Sequence, residues 1–283
     1  MTNLFPLFFV FFWSSAFVSG QIIVQSASPF ASLSFRFIIV ALGFLLFSYI
    51  LRENIFVKSS LILQSAVTGI FFHGFYLGGV FFSYSVGLSA TLSALIVGLQ
   101  PVLTNILSGP ILKEKVTITQ WLGILLGLIG TILVIGLDIG KTIPLLGIIA
   151  SIVALIGATT ATIWQKKFTN KLSLTVNNFY QAIAATTFLF IVSIIFEISY
   201  INFTTSFILS MSWQIIMVSF GAFTILMYLI KIGSASKTSN LFFLVPPTTA
   251  VMAWIVLEEQ LLRNDLIGLL LAALGVYIAT RKS

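Results

Sequence analysis

The chain contains no cysteine and very few charged residues. The absence of Cys excludes disulfides, Cys-based metal sites and a thiol nucleophile. Only 7% of the 283 residues are Asp, Glu, Lys or Arg, whereas a soluble domain carries about a quarter. The mean hydropathy is +1.14 and 59% of the residues are apolar. This composition predicts a protein that is embedded in a membrane.

The stretches between charged residues are long enough to cross a bilayer. Runs such as 116–137 and 172–196 contain roughly the 20 residues that a spanning helix needs. Residues 121–136 are apolar on every face, so they lack the alternation of a barrel strand. We therefore predict an all-α polytopic membrane protein with ten transmembrane helices. Their predicted bounds are 4–22, 31–51, 61–86, 91–112, 118–137, 144–165, 174–196, 211–231, 238–257 and 265–280.

The basic residues indicate how the chain is oriented. The net charge is +7, and with a cytoplasmic N-terminus only Arg36, Lys141 and Arg263 of the 14 basic residues fall outside. This asymmetry follows the positive-inside rule, so it predicts topology, and no nucleic-acid partner is expected. We predict a multi-pass protein of the cell inner membrane with both termini cytoplasmic. The first 20 residues lack a basic start and are predicted to remain as a span instead of being cleaved as a signal peptide.

Proline and glutamate landmarks recur at a fixed distance. Pro101 and Glu114 are 13 residues apart, as are Pro246 and Glu259, and each residue of the second pair lies 145 positions after its equivalent. A Gly follows each Glu at nine and again at sixteen residues. The spacing predicts an internal duplication.

The duplication divides the predicted helices into two halves, 1–140 and 144–283, with five helices each. Because five is an odd number, the second half is predicted to enter the membrane inverted relative to the first. Inverted repeats recur in secondary transporters, in which two similar halves give alternating access to one central site.

Two motifs, one in each half, resemble those of a known family. They comprise 99–102, 113–115 and 120–123 in the first half, and 244–246, 258–260, Gly268 and Gly275 in the second. Together they resemble the paired signature of EamA-type proteins of the drug/metabolite transporter superfamily. The resemblance implies ten helices, cytoplasmic termini and export of amino acids or related small metabolites without ATP. Pro247, directly after Pro246, departs from the pattern and implies a different bend in the ninth helix.

Three prolines are the predicted helix breaks. Pro101 and Pro246 lie near the middles of their predicted helices, where a proline leaves the carbonyls of Val97 and Phe242 without a helical donor. Pro247 extends the second break. Broken backbone inside a membrane is tolerated where it is packed in protein or lines a wet cavity. Substrate contact and a plain packing kink are both compatible with these breaks.

Polar and aromatic side chains at mid-depth are the predicted substrate-binding residues. His73 is the only histidine, and Tyr76 shares its helix face. A neutral His that bonds a backbone carbonyl is the alternative interpretation. The other candidates carry amide or aromatic groups on different helices and are Trp13, Gln100, Asn105, Trp164, Tyr180 and Asn240. This mixture suits a zwitterionic or amphipathic solute.

Other residues are predicted to have structural roles. Arg36 lies little more than a turn inside the second helix, and we expect it to reach the headgroups in preference to clamping a substrate carboxylate. Glu114 and Glu259 precede the fifth and tenth helices, where a carboxylate is favoured by the helix dipole. Gly123 and Gly268 are predicted to allow helices to pack closely.

Together these features predict a secondary, non-ATP transporter, an exporter of amino acids or related small metabolites. It would work by alternating access around a midplane cavity. No Asp or Glu occupies a helix middle, so we expect a facilitator or exchanger, with proton coupling through His73 as a variant. No cofactor or metal is expected. The expected partners are the small-molecule substrate and the lipid bilayer, and the chain is expected to be a monomer or homodimer.

Three other functional classes are an intramembrane enzyme, a structural subunit and a lipid flippase. An intramembrane enzyme is disfavoured because the chain has no G-x-S-x-G motif, metal-ligand cluster or carboxylate pair. A structural subunit is disfavoured because the predicted loops are too short to form a docking domain. A lipid or lipid-linked metabolite flippase on the same fold remains the main alternative.

The Cys-free chain allows a direct test of topology. Single variants Lys58→Cys and Lys167→Cys are expected to resist a membrane-impermeant thiol reagent added to intact cells, because both positions are predicted to be cytoplasmic. Lys141→Cys, predicted to lie outside, is the matched control and should react. Labelling of position 58 or 167 from outside would overturn the orientation.

Overall fold

The computed structural model describes residues 4–113, 116–135, 144–168, 172–233, 238, 240–258 and 263–280. These residues are helical apart from loops and one isolated antiparallel bridge between Ala27 and Ile201. The helices, numbered here in chain order, are α1 (Phe5–Ile23), α2 (Pro29–Ile50), α3 (Ser59–Ser85), α4 (Ala90–Leu112), α5 (Ile118–Ile135), α6 (Leu145–Phe168), α7 (Leu174–Phe196), α8 (Thr205–Ile232), α9 (Asn240–Leu257) and α10 (Arg263–Thr280). Within the described ranges, eight of them, all except α5 and α10, are long and apolar enough to cross a membrane.

The predicted all-α membrane architecture is confirmed for the described residues. Most predicted helix ends lie within three residues of the observed ones. The start of α8 is the exception, because it lies at Thr205 instead of 211. The Thr204 hydroxyl accepts a hydrogen bond from the Phe207 N–H at 3.2 Å. A polar segment that reads as a loop is therefore the capped first turn of the helix.

Side-chain caps fix two other helix starts. The Ser89 hydroxyl accepts from the Leu92 N–H at 3.2 Å at the start of α4. The Ser173 hydroxyl accepts from the Val176 N–H at 3.4 Å at the start of α7. Each bond satisfies an N–H group that has no partner within its own helix, which matters most in an apolar environment.

Two helices contain π-helical segments at equivalent places in the two halves. The segment in α3 is Ile70–Leu77 and the segment in α8 is Gln214–Ala222. Their last residues are 145 positions apart, the same offset as the proline and glutamate landmarks. A π segment widens the helix and shifts the side chains that follow it, and such segments are frequent at functional sites.

Two further irregularities recur at the same offset. Leu99 interrupts α4 with φ −75° and ψ −7°, and Leu244 has nearly the same angles in α9. Lys113 after α4 and Glu258 after α9 are both left-handed, with φ of 57° and 56°. The two helices differ before these points, since α9 begins with the 3₁₀ segment Asn240–Leu244 whereas the equivalent part of α4 is α-helical.

Helices α2 and α7 run antiparallel and are joined at both ends by a glutamate. The N–H groups of Phe30 and Ala31, in the first turn of α2, donate to the Glu197 carboxylate at the end of α7, at 3.2 and 2.7 Å. At the opposite end, the Glu53 carboxylate after α2 accepts from the Ser173 hydroxyl at 2.7 Å. A carboxylate at a helix N-terminus is favoured by unpaired N–H groups and by the helix dipole.

Helices α5 and α10 pack closely through glycines. A Cβ atom added to Gly275 would lie 2.6 Å from the Gly123 carbonyl oxygen and 2.9 Å from the Gly127 Cα. Gly268, also in α10, is buried. The missing side chains let the two backbones touch, as is common between helices in membranes.

The outer surface of the bundle is strongly apolar. Exposed residues of this surface include Leu7, Leu46, Ile194, Leu209 and Leu270, each at least half exposed. Apolar patches this extensive are rare on monomeric soluble proteins and fit contact with lipid chains.

The contact between α5 and α10 leads to a stability prediction. Gly275→Ala is expected to destabilise the protein by about 1–3 kcal/mol, because the new methyl group overlaps backbone atoms that cannot move aside easily. The apparent Tm in detergent should fall by roughly 3–10 °C. Gly221→Ala is the matched control, since its nearest neighbour would be an ordinary 3.7 Å contact. An equal Tm for the two variants would contradict this packing.

Candidate functional site

Aromatic residues from five helices meet in the interior of the bundle. We call this group the central cluster; it consists of Trp13 on α1, Phe37 on α2, Phe72, His73 and Tyr76 on α3, Phe223 on α8 and Phe242 on α9. All seven side chains are buried. The cluster brings together three predicted substrate-binding residues, Trp13, His73 and Tyr76.

Trp13 and Tyr76 form a hydrogen-bonded pair within the central cluster. The Trp13 indole N–H donates to the Tyr76 hydroxyl at 3.1 Å, and the two rings are nearly parallel with centroids 6.2 Å apart. The bond satisfies the indole donor, and the Tyr76 hydroxyl proton is left for another acceptor.

His73 is surrounded by rings. Its imidazole lies 4.3 Å from the Phe37 ring and 4.5 Å from the Phe223 ring, centroid to centroid. Its Nδ1 atom has no hydrogen-bond partner among the described residues. In the alternative interpretation, the imidazole would be bonded to a backbone carbonyl. No such bond is described for Nδ1. An unsatisfied buried nitrogen is costly and therefore calls for an explanation.

Arg36 corrects a sequence-based expectation. The side chain is 2% exposed, so it does not reach the headgroups as expected. Its Nε donates to the Ser219 hydroxyl at 3.0 Å, and its guanidinium carbon lies 5.3 Å from the centre of the Phe37 ring. Its Nη1 has no hydrogen-bond partner in the described part of the chain. The expectation relied on depth alone, whereas the direction in which Arg36 points decides its environment.

Both π segments border this site. His73 and Tyr76 belong to the segment in α3, Ser219 belongs to the segment in α8, and Phe223 follows the latter directly. The wider backbone at equivalent points of the two halves thus faces the same buried guanidinium and imidazole.

Gln100 lies beside the interruption in α4 and contacts α6. Its side-chain amide donates to the Thr162 hydroxyl at 2.9 Å and to the Ala158 carbonyl at 3.4 Å. Its Oε1 atom is buried without a described partner. No described contact joins Gln100 to the central cluster.

Asn105 and Asn240 connect the two halves of the chain. The Asn105 amide donates to the Asn240 side-chain oxygen at 2.9 Å and to the Pro101 carbonyl at 2.7 Å. Both amides are buried. These contacts place two predicted substrate-binding residues next to the first helix break.

The second helix break lies against α1. Pro246 and Pro247 lie in the first turn of the α-helical part of α9, which is also near the middle of the whole helix Asn240–Leu257. The Ser14 hydroxyl donates to the Val245 carbonyl at 3.3 Å, and the Thr249 hydroxyl donates to the Ser14 carbonyl at 3.3 Å. The carbonyl predicted to lack a helical donor is that of Phe242. The carbonyl that Ser14 bonds is that of Val245, three residues later. Ser14 neighbours Trp13, so the break is tied to the helix that carries the cluster's tryptophan.

Trp164 and Tyr180 are not part of the central cluster. The Trp164 indole donates to the Gln64 carbonyl at 3.2 Å, and the Tyr180 hydroxyl donates to the Ile55 carbonyl at 2.6 Å. Both are only partly buried. Their described contacts therefore hold helix ends together. Glu114 and Glu259 lie outside the described residues.

A groove of about 600 Å³ lies elsewhere on the protein. It follows the C-terminal half of α2 and the next loop, and Leu42, Tyr49, Glu53 and Phe56 are among its lining residues. None of the predicted substrate-binding residues lines it. Its mostly apolar wall faces the outside of the bundle, so the chemically distinctive groups lie in the interior and not in this groove. No group of His, Asp or Glu among the described residues is arranged to hold a metal ion.

The bond between Asn105 and Asn240 leads to a second prediction. Replacing either residue by Ala is expected to destabilise the protein by about 1–3 kcal/mol, because the remaining buried amide loses a partner. In the double variant the losses should not add, which gives a coupling energy of about 1 kcal/mol in a double-mutant cycle. Thermal unfolding in detergent measures it, and strictly additive losses would argue against the bond.

Comparisons with known proteins extend these observations. The chain is 22% identical over 276 residues to the uncharacterized transporter YoaV of Bacillus subtilis, which covers 95% of this chain and 92% of that protein. It is 25% identical over 285 residues to the WAT1-related protein At3g02690, chloroplastic, of Arabidopsis thaliana, covering 95% of this chain and 66% of that one. A crystal structure of a protein with 16% identity matches the fold with a TM-score of 0.79, over 99% of this chain and 97% of the other.

The family itself is recognised over both halves. The sequence pattern of the EamA-like transporter family matches residues 1–136 and again 145–281. The family and the matched Bacillus proteins are transporters and not enzymes. This chain therefore belongs to the EamA-like transporter family.

Proposed function

We propose that the protein is a secondary transporter that exports amino acids or related small metabolites by alternating access. The proposal comprises ten membrane spans, arranged as two inverted five-helix repeats over 1–140 and 144–283, around one central site. The observation that carries it is the recurrence of backbone irregularities 145 residues apart, because these are the places where two similar halves bend around a shared interior.

The antiparallel contact of α2 and α7 supports the inverted arrangement. These are the second helices of the two proposed halves. In an inverted repeat, equivalent helices of the two halves run in opposite directions, and the glutamate contacts at both ends of this pair fit that requirement. Helices α5 and α10 would be the last helix of each half.

The central cluster supports a transport site. It combines π faces with a buried imidazole and phenol and borders the buried guanidinium of Arg36, whereas a helix bundle stabilised by packing alone has no need of such groups. The side chains are buried on all sides, so a solute reaches them only if one end of the bundle opens. Alternating access supplies such an opening at each end in turn. Gln100, Asn105 and Asn240 lie beside the helix breaks and are proposed to contribute when the site opens.

The proposed coupling mode is based on the acidic residues, because no Asp or Glu of the described residues lies in the middle of a helix. The acidic residues described near helices, such as Glu53 and Glu197, lie at helix ends. We propose a facilitator or exchanger that runs down the metabolite gradient, with His73-linked proton coupling as a variant.

The orientation proposed from sequence has structural support at one end of the bundle. The Lys166 ammonium donates to the carbonyls of Ile230 and Gly233, and the Lys231 ammonium donates to the Leu172 carbonyl. Lys166 near the end of α6 thus caps the C-terminal end of α8, and Lys231 near the end of α8 bonds the segment between α6 and α7. We propose that this end is cytoplasmic, with both termini on that side of the cell inner membrane, in a monomer or homodimer.

Counterflow in liposomes tests the function. Purified full-length protein in liposomes loaded with an unlabelled amino-acid mixture is expected to accumulate a radiolabelled amino acid from outside without ATP. Trp13→Ala should reduce the initial rate at least about tenfold, because it removes both a wall of the site and the partner of Tyr76. Leu7→Ala, which changes a 64% exposed side chain on the same helix as Trp13, should retain the rate.

Two outcomes would count against the proposal. Absence of counterflow across amino acids and related metabolites, together with rapid translocation of a fluorescent lipid, would favour the flippase. Uptake driven by a pH gradient in His73→Ala as strongly as in the wild type would contradict both forms of the coupling.

A further inference from the structure

Arg36 is a cation buried in the bundle, and no carboxylate of the described residues forms an ion pair with it. It lies seven residues after the start of α2, about 10 Å along the helix. Its described contacts are one hydroxyl, from Ser219, and the face of Phe37. One hydroxyl and one ring face compensate little of the free energy needed to bury a guanidinium, which also keeps an unpartnered Nη1.

The nearest carboxylate along α2 is already occupied. Glu197 binds the N–H groups of Phe30 and Ala31, five to six residues before Arg36, or about 8 Å along the helix axis. It also accepts from the Ser193 hydroxyl at 2.8 Å. Glu53, the other glutamate beside α2, binds hydroxyls at the opposite end of the helix. Both carboxylates thus have other partners, at the ends of the bundle.

A second unsatisfied group lies beside the guanidinium. The Phe37 ring contacts both Arg36, whose Nη1 has no described partner, and His73, whose Nδ1 has none, so both side chains adjoin one ring. The surrounding walls are the rings of Phe72 and Phe223. The region therefore offers one positive charge and a second polar nitrogen inside an apolar, aromatic enclosure.

We propose that Arg36 binds the carboxylate of the transported solute. A guanidinium presents paired N–H donors that match a carboxylate, and the pair is strongest where water is excluded. The aromatic walls suit an apolar or aromatic body on the same solute. The substrate class is then small monocarboxylates, amino acids among them, whose carboxylate is the recognised group. This inference rests on the proposed transport function and adds the group that the site selects.

The charge balance makes the carboxylate decisive. The empty site holds one buried positive charge, and a bound monocarboxylate neutralises it. An uncharged amide of the same shape leaves the guanidinium unneutralised, and an amine adds a second positive charge. Discrimination between acid and amide therefore follows from the site's charge and does not require a difference in shape.

Ligand-induced stabilisation in detergent tests the inference apart from transport. The probes are 3-phenylpropionate and 3-phenylpropanamide, which differ only in the carboxylate. The carboxylate is expected to raise the Tm of the wild-type protein in a saturable manner, and the amide is expected to bind at least about tenfold more weakly. Equal shifts for the two compounds, or no shift for either, would overturn the inference.

Variants then assign the effect to Arg36. Arg36→Gln should abolish the preference for the carboxylate, and Arg36→Lys should retain part of it, because the charge remains without the planar fork. Ser34→Ala is the matched control: it removes a buried hydroxyl of the same helix, which bonds the Thr186 carbonyl, and leaves the contacts of Arg36 unchanged, so the preference should persist. A preference that survives in Arg36→Gln would contradict the assignment. If Arg36→Gln does not fold, the comparison of acid and amide on the wild type still decides whether the site selects a carboxylate, and Arg36→Lys tests the role of the guanidinium.

The same probes in liposomes separate the inference from the proposed function. Binding that prefers the carboxylate without any counterflow would retain the Arg36 site and count against transport. Counterflow that treats acid and amide alike would retain transport and count against the Arg36 site.

Discussion

Polar groups inside an apolar helix bundle must find partners within the protein, and this constraint shapes the interior described here. Most of them do so locally. The Thr162 hydroxyl, for example, bonds the Ala158 carbonyl one turn earlier at 2.8 Å, and the Ser14 hydroxyl bonds the Val245 carbonyl beside the prolines of α9 at 3.3 Å. Other buried polar atoms, among them both side-chain amide atoms of Asn178, also lack a described partner. The unpartnered nitrogens of Arg36 and His73 are distinguished because both side chains adjoin a single ring, that of Phe37.

The two halves share their backbone irregularities but not their interior side chains. The π segments, the leucine interruptions and the left-handed residues after α4 and α9 recur at the 145-residue offset. At the same offset, Arg36 corresponds to Gln181, and His73 corresponds to Val218. The two halves therefore share their bends. The buried charged and titratable groups, Arg36 and His73, occur in the first half and have no equivalent in the second. A single site is what such an asymmetric interior can form.

The helices could be predicted from the sequence because long uncharged runs are recognisable without knowledge of how the chain packs. It also found the duplicated breaks, since proline acts on the backbone wherever it stands. It misplaced Arg36 because counting residues from a helix end gives depth but not direction. The π segments were not anticipated, since their residues resemble those of any apolar helix and only packing between helices reveals the wider turn.

The candidate site was predicted only in part. Trp13, His73 and Tyr76 were found because polar or aromatic groups at mid-depth are unusual, and they do meet in the structure. Trp164 and Tyr180 looked similar in sequence, yet their donors reach loop and helix-end carbonyls. Ser219 was missed because an isolated serine carries no signal until its partner is known.

The contacts of α2 indicate which helices must move if the site is to open. Glutamates tie α2 to α7 at both ends, so we expect these two helices to move together and Arg36 to move with them. The groups that enclose Arg36 from the other side come from the π segments of α3 and α8. A π turn has weaker backbone hydrogen bonding than an α turn and converts to it by shifting one residue, which rotates the side chains beyond it. Opening is therefore expected to change α3 at one end of the bundle and α8 at the other, while the α2–α7 pair keeps the guanidinium in place for a solute arriving from either side.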